Sequence, residues 1–254
     1  MVFRPIVIAA HLRCGVVSDP WLPLDGILLY QAVRKRYGGP PPASIPGRGS
    51  LEVAEHAPTL PLKLIQDGKY RYWACSFAEW GRPYGEGRDY WNKREDSGRY
   101  GHLLDPAVKR IETGKGRYKA YHMPVFYRVA PYVRWWAVGD PDGVRELLRG
   151  VDAIGKKRAY GWGAVMRWEV EEVSEDRSVF VEGVPQRSVP VTSRTEALVR
   201  EGTRRAFWGY YPPYYDPANQ TVCFMPQGLR KAQEPSTLVA MGRAEQDVGG
   251  EEVC

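Results

Sequence analysis

The chain has 254 residues, 43% hydrophobic and 26% charged, which suits a globular body of one or two lobes and excludes wholesale disorder. Lys and Arg number 36 against 30 Asp and Glu; the segment Ala244 to Cys254 holds four acids and no base, so the remainder carries +10, a balance suited to a polyanion. No apolar run approaches a membrane span, Arg13 interrupts the short apolar run after Arg4, and four scattered cysteines (Cys14, Cys75, Cys223, Cys254) form no CxxC, so a cytoplasmic chain without a disulfide framework, metal or cofactor is expected.

In chain order, Phe3 to Val17 is β-rich, and Leu24 to Tyr37 reads as a helix entered through Pro23 with Leu24, Ile27, Leu28 and Ala32 on one stripe. Tyr37 to Pro46 (YGGPPPASIP) breaks regular structure and reads as a loop. Lys69 to Phe77 alternates, and Ala120 to Val129 is a second β-like run in which Pro124 marks an edge or a bulge. Between them Trp80 to Lys119, glycine-rich, polar and aromatic, reads as a protruding insertion. Tyr132 to Val138 leads to Asp140 as N-cap, Pro141 at the first helical position, and Val144, Leu147, Leu148 and Val151 at helical spacing. Val165 to Glu171 then alternates, which predicts Met166, Trp168 and Val170 facing in and Arg167, Glu169 and Glu171 facing out.

The order β-α-β-insertion-β-α-β is that of an α+β, ferredoxin-like (RRM-like) fold, an antiparallel sheet with two helices on one face and the other face free. Residues 1–173 are expected to form it, with 80–119 inserted. Residues 174–254 are expected to be a small C-terminal extension: β-like runs Val179 to Val181 and Ser188 to Thr192, a helical stretch Glu196 to Arg205, the aromatic Phe207 to Pro217, and disorder over about the last ten residues.

The chemistry concentrates after the second helix, in Gly155, Lys156, Lys157, Arg158, Ala159, Tyr160, Gly161, Trp162 and Gly163. Glycines let the backbone approach a phosphate with its N–H groups exposed, three consecutive cations neutralise charge, and the aromatics offer stacking faces. The plainer alternative is a tight turn with solvated cations. No third glycine at the right spacing, no following helix and no GxxxxGK[ST] are present, so neither a dinucleotide fingerprint nor a P-loop fits.

This loop, GKKRAYGWGAV, lies between the last helix and last strand of a ferredoxin-like pattern and resembles that of the CRISPR-associated RAMP superfamily. With Leu22 to Tyr30 (LPLDGILLY), Trp136 to Leu148 (WAVGDPDGVRELL) and the loop with its strand, Ile154 to Val170, the chain is similar to the Cas-five-like subunit of type IV effector complexes; Pro212, Pro213, Tyr214 and Tyr215 fit more loosely. The resemblance implies a non-catalytic subunit of an antiviral ribonucleoprotein. It would cap the guide RNA (crRNA) at its repeat-derived 5′ handle, beside backbone and large subunits, with target-DNA contact left open. It also implies that the loop and a thumb at Trp80 to Lys119 grip RNA. That segment holds ten cations against six acids, among them Arg88, Lys93, Arg94, Arg99, Arg117 and Lys119, and carries Tyr84, Tyr90, Trp91 and Tyr100.

Two rivals stand beside this. A repeat-RNA endoribonuclease of the same superfamily would need a general acid–base, for which His11, His56, His102 and His122 offer no recognisable pairing. A scaffold that recruits proteins would use Trp135, Trp136, Phe207, Trp208, Tyr210 and Tyr211, residues that serve equally as core.

Overall fold

The computed structural model describes residues 2–19, 21–38, 59–82, 84–93, 114–115 and 119–228. The expected loop beyond Gly38, the thumb residues Arg94, Arg99 and Arg117, His56, His102 and the terminal segment lie outside the described residues.

Strand β1 (Arg4–Leu12) runs into helix α1 (Leu24–Tyr37), which buries Leu24, Leu28 and Ala32 and stops where Gly38 takes φ 67° and donates its N–H to Arg34 and Lys35 carbonyls. Two short strands, β2 (Leu64–Asp67) and β3 (Tyr70–Trp73), pair as a hairpin of their own. The two-residue β4 (Glu79–Trp80) follows, then β5 (Gly85–Lys93), β6 (Tyr121–Val129), β7 (Tyr132–Gly139), helix α2 (Pro141–Leu148) and β8 (Val165–Glu172). Past β8 come β9 (Phe180–Val181), β10 (Val184–Pro185), β11 (Val189–Pro190), the short helix α3 (Ser193–Glu196), β12 (Arg205–Gly209) and β13 (Gln220–Phe224).

The fold is α+β with antiparallel sheets. The main sheet has the order β4-β7-β1-β8, antiparallel throughout, with α1 following β1 and α2 joining β7 to β8. Alternation puts Ile6, Ile8 and Ala10 of β1 against Leu24 and Leu28 of α1 and Val144 and Leu148 of α2, so both helices share one face in one core. Asp140 occupies the α2 N-cap position but makes no side-chain cap bond.

Several sequence expectations need correcting. The second strand of the main sheet is the short Glu79–Trp80, and the alternating Lys69 to Phe77 is divided: Tyr70–Trp73 folds back on β2 because Gly68, at φ 59°, turns the chain there, while Ala74 to Ser76 bonds along β7, Val138 N–H donating to the Ala74 carbonyl at 2.9 Å and Ser76 N–H to the Trp136 carbonyl at 2.7 Å. Ala120 to Val129 does not join the main sheet: β6 pairs with β5 from Gly85 opposite Val129 to Lys93 opposite Tyr121, forming a separate two-stranded ribbon. Helix formation near Glu196 stops at that residue; α3 begins earlier, at a capping box in which Thr192 and Thr195 bond each other's backbone. Met166 is 64% exposed rather than inward, lying at the start of β8 beyond the core. The face opposite the helices is only partly free: on the β7 side Val138 packs with Tyr72, Ala74, Val179 and Val189.

A buried polar hub ties distant segments together. Arg187 and Asp25, both fully buried, approach to 3.2 Å. The same guanidinium donates to the Tyr210 carbonyl at 2.8 Å, the Tyr214 hydroxyl at 2.7 Å and the Trp73 carbonyl, while Tyr214 donates to Asp25 at 2.8 Å. Burial pushes the Cys75 thiol and the Tyr214 hydroxyl up. For Arg187 burial acts to lower the pKa, but the Asp25 carboxylate beside it, through charge and hydrogen bond, acts to raise it, and the guanidinium stays charged. A buried charge this well paired is tolerated because every direction of the fork meets an acceptor.

Candidate nucleic-acid interface

The turn between α2 and β8 is shaped by positive φ at Gly155 (80°), Lys157 (60°), Gly161 (89°) and Gly163 (74°), with a 3₁₀ turn at Arg158–Tyr160. Backbone bonds pin it to the segment after β1: Lys156 N–H to the Val17 carbonyl at 2.6 Å and Gly163 N–H to the Gly15 carbonyl at 2.8 Å. The Cys14 thiol adds a third tie, donating to the Gly161 carbonyl at 3.1 Å and accepting from Ala164 N–H at 3.3 Å.

The glycines serve different ends. A Cβ on Gly155 would meet the Val17 carbonyl at 2.5 Å, and one on Gly163 would collide with the Ile154 carbonyl, so these two are required by the protein's own packing. Gly161 has open space around its missing Cβ.

All three cations have partners within the chain. Lys156 pairs with Asp19 at 2.8 Å, both side chains 61% exposed. The Lys157 ammonium lies 3.1 Å from the Trp91 ring centroid on β5, and the Arg158 guanidinium lies 4.9 Å from the Tyr30 ring on α1. Tyr160, 61% exposed, meets the Trp91 ring edge-on at 5.8 Å. Trp162 stacks on Tyr127 of β6 at 4.6 Å, a contact made possible by Gly87, directly across the ribbon, and by Gly15, since a Cβ on either would strike the Tyr127 ring.

Loop and ribbon therefore form one surface, a junction that local sequence patterns do not announce. Signals existed only as glycines opposite bulky aromatics. On the ribbon, Arg88 is exposed with its guanidinium 5.3 Å from the Tyr90 ring, which stacks on His122 at 4.3 Å; Lys93 ends β5, and exposed Lys119 precedes β6. Phe126, 66% exposed, stands opposite Arg88.

Of the histidines, His11 bonds Glu169 at 2.8 Å, with Arg167 3.3 Å away, on the open part of the main sheet, and His122 Nδ1 contacts Asn92. Among the described residues, no group of three or more metal-ligating side chains comes together, and no helix is long and apolar enough to cross a membrane. Trp135, Trp136, Tyr210 and Tyr211 are buried, which takes them out of the scaffold alternative; Phe207 and Trp208 remain exposed.

Comparison with known proteins gives one family: the profile of CRISPR type IV associated protein Csf3 matches residues 84–225, from the ribbon through the loop to the last strand. No curated protein matches the chain.

Proposed function

Because this chain belongs to the Csf3 family of type IV CRISPR-associated proteins, we propose that it is an RNA-binding subunit of a type IV ribonucleoprotein, gripping the 5′ handle of guide RNA with the 155–163 loop and the β5–β6 ribbon. The observation that carries this reading is the junction of Lys157, Trp91, Tyr160, Trp162 and Tyr127, where cations and stacking faces from both parts adjoin. The intramolecular partners of Lys156 and Arg158 hold these cations in place until phosphates replace Asp19 and Tyr30.

The same reading makes the main sheet a ferredoxin-like RAMP domain, and its strand order and two helices on one face support it. The ribbon, inserted between the second and third strands of that sheet, is its thumb. The subunit works in the cytoplasm with the backbone and large subunits of the complex and does not itself cut RNA.

Binding of a handle-containing RNA across a salt series tests the proposal. Changing Lys156, Lys157 and Arg158 together to Ala should weaken binding and flatten its salt dependence by roughly 0.7 in log–log slope for each phosphate that is no longer neutralised. Parent-like affinity and slope would sink the reading. Cleavage of repeat RNA by the purified protein without metal would instead favour an endoribonuclease working through the His11–Glu169 pair.

A further inference from the structure

Behind the loop lies a pocket of about 270 Å³ between the start of α1 and the turn after α2, lined by Asp19, Trp21, Tyr30, Gln31, Lys156 and Arg158 among others. Its volume falls below the roughly 300–1,000 Å³ of sites for drug-sized ligands, which suits one heterocycle rather than a large cofactor. Three features give it a chemical preference. The Tyr30 ring, 36% exposed, offers a flat face that Arg158 now covers. The Asp19 carboxylate, accepting from Lys156 through Oδ1 at 2.8 Å, stands at the rim as an acceptor. Trp21, its ring held edge-on against Trp208 at 5.2 Å, adds an aromatic wall to the lining.

Resting on the reading of the loop as an RNA grip, we infer that this pocket takes one unstacked base of the bound RNA and selects for a base carrying an exocyclic amine. A phosphate arriving at Lys156 takes over the ammonium and leaves Asp19 without its partner. A carboxylate so exposed to RNA repels phosphate and accepts from an amine, which cytosine, adenine and guanine have and uracil lacks. Arg158, displaced from Tyr30, stays at the rim for the next phosphate.

Cytosine and uracil make the cleanest comparison, since they match in ring size and differ in the amine. Binding of labelled oligo(rC) and oligo(rU) of equal length to the full chain should favour rC by about fivefold or more, the discrimination of one good base contact. Asp19→Ala should remove that preference while binding rU at least as tightly as the parent, because Lys156 is released. Equal binding of rC and rU by the parent, or a preference that survives Asp19→Ala, overturns the pocket assignment and leaves the loop reading standing. Failure of the parent to bind either RNA at any salt overturns the RNA reading itself and the pocket with it.

Discussion

Four positive-φ residues within 155–163 shape one turn, yet their side chains face different surroundings. Gly161→Ala should cost about 1–2 kcal/mol, the strain of a left-handed backbone with a Cβ, because nothing else opposes it. Gly163→Ala adds a collision with the Ile154 carbonyl to the same strain and should destabilise clearly more; urea unfolding midpoints of the two variants compare them, and equal losses would mean the backbone gives way freely. At the hub, Asp25→Ala strands the Arg187 guanidinium without its carboxylate inside the core. A loss of about 3–5 kcal/mol is expected by the same measurement, and a near-neutral result would show that Tyr214 and the backbone carbonyls suffice.

The ribbon and the loop behave as a pair of elements joined by aromatic contacts. Trp91→Ala removes the face under Lys157 and the edge contact with Tyr160, interactions of about 0.5–2 kcal/mol, without changing charge. Limited proteolysis between residues 84 and 129 should accelerate, and RNA affinity should fall with an unaltered salt slope; an unchanged cleavage rate would mean the Tyr127–Trp162 stack holds the ribbon alone. Local chemistry made the loop legible in the sequence, since glycines and consecutive cations carry their geometry and charge wherever they fold. The helices were legible for a similar reason: their stripes are periodic, and Leu24, Leu28, Val144 and Leu148 are all buried. Strand membership was not, because alternation reports a half-buried strand without saying which sheet it joins. Lys69 to Phe77 alternates throughout yet divides its pairing, its first half with β2 and Ala74 to Ser76 with β7, while the second strand of the main sheet, Glu79–Trp80, is too short to show a period. The partners Trp91 and Tyr127, far from the loop in sequence, likewise leave no mark on it.

Across the whole molecule, several acidic protons are kept on by the fold. Burial raises the Cys75 thiol, pushes Cys223 up to about 12, and raises Tyr72, Tyr210, Tyr211 and Tyr214. The unfolded chain releases these protons from about pH 9 for thiols and pH 10 for phenols, so above pH 9 the folded state binds more protons and stability falls as pH rises, while below it these groups contribute in full. The melting temperature should be level from about pH 7 to 8.5 and decline beyond about 9, and replacing Cys75 and Cys223 by Ala should delay the onset toward about pH 10; a level curve to about pH 11 would contradict the burial of these groups. The hub also has a consequence for how the chain is made. Asp25 and Arg187 are 162 positions apart, and at about 5–20 residues per second a ribosome takes about 8–32 s to travel from one codon to the other. During that interval α1 exists without the cation that lets its carboxylate be buried, and the Tyr214 hydroxyl emerges later still. The buried hub that joins α1 to the C-terminal segments therefore closes only after residue 214 has been made, which places this part of the core late in the order of assembly.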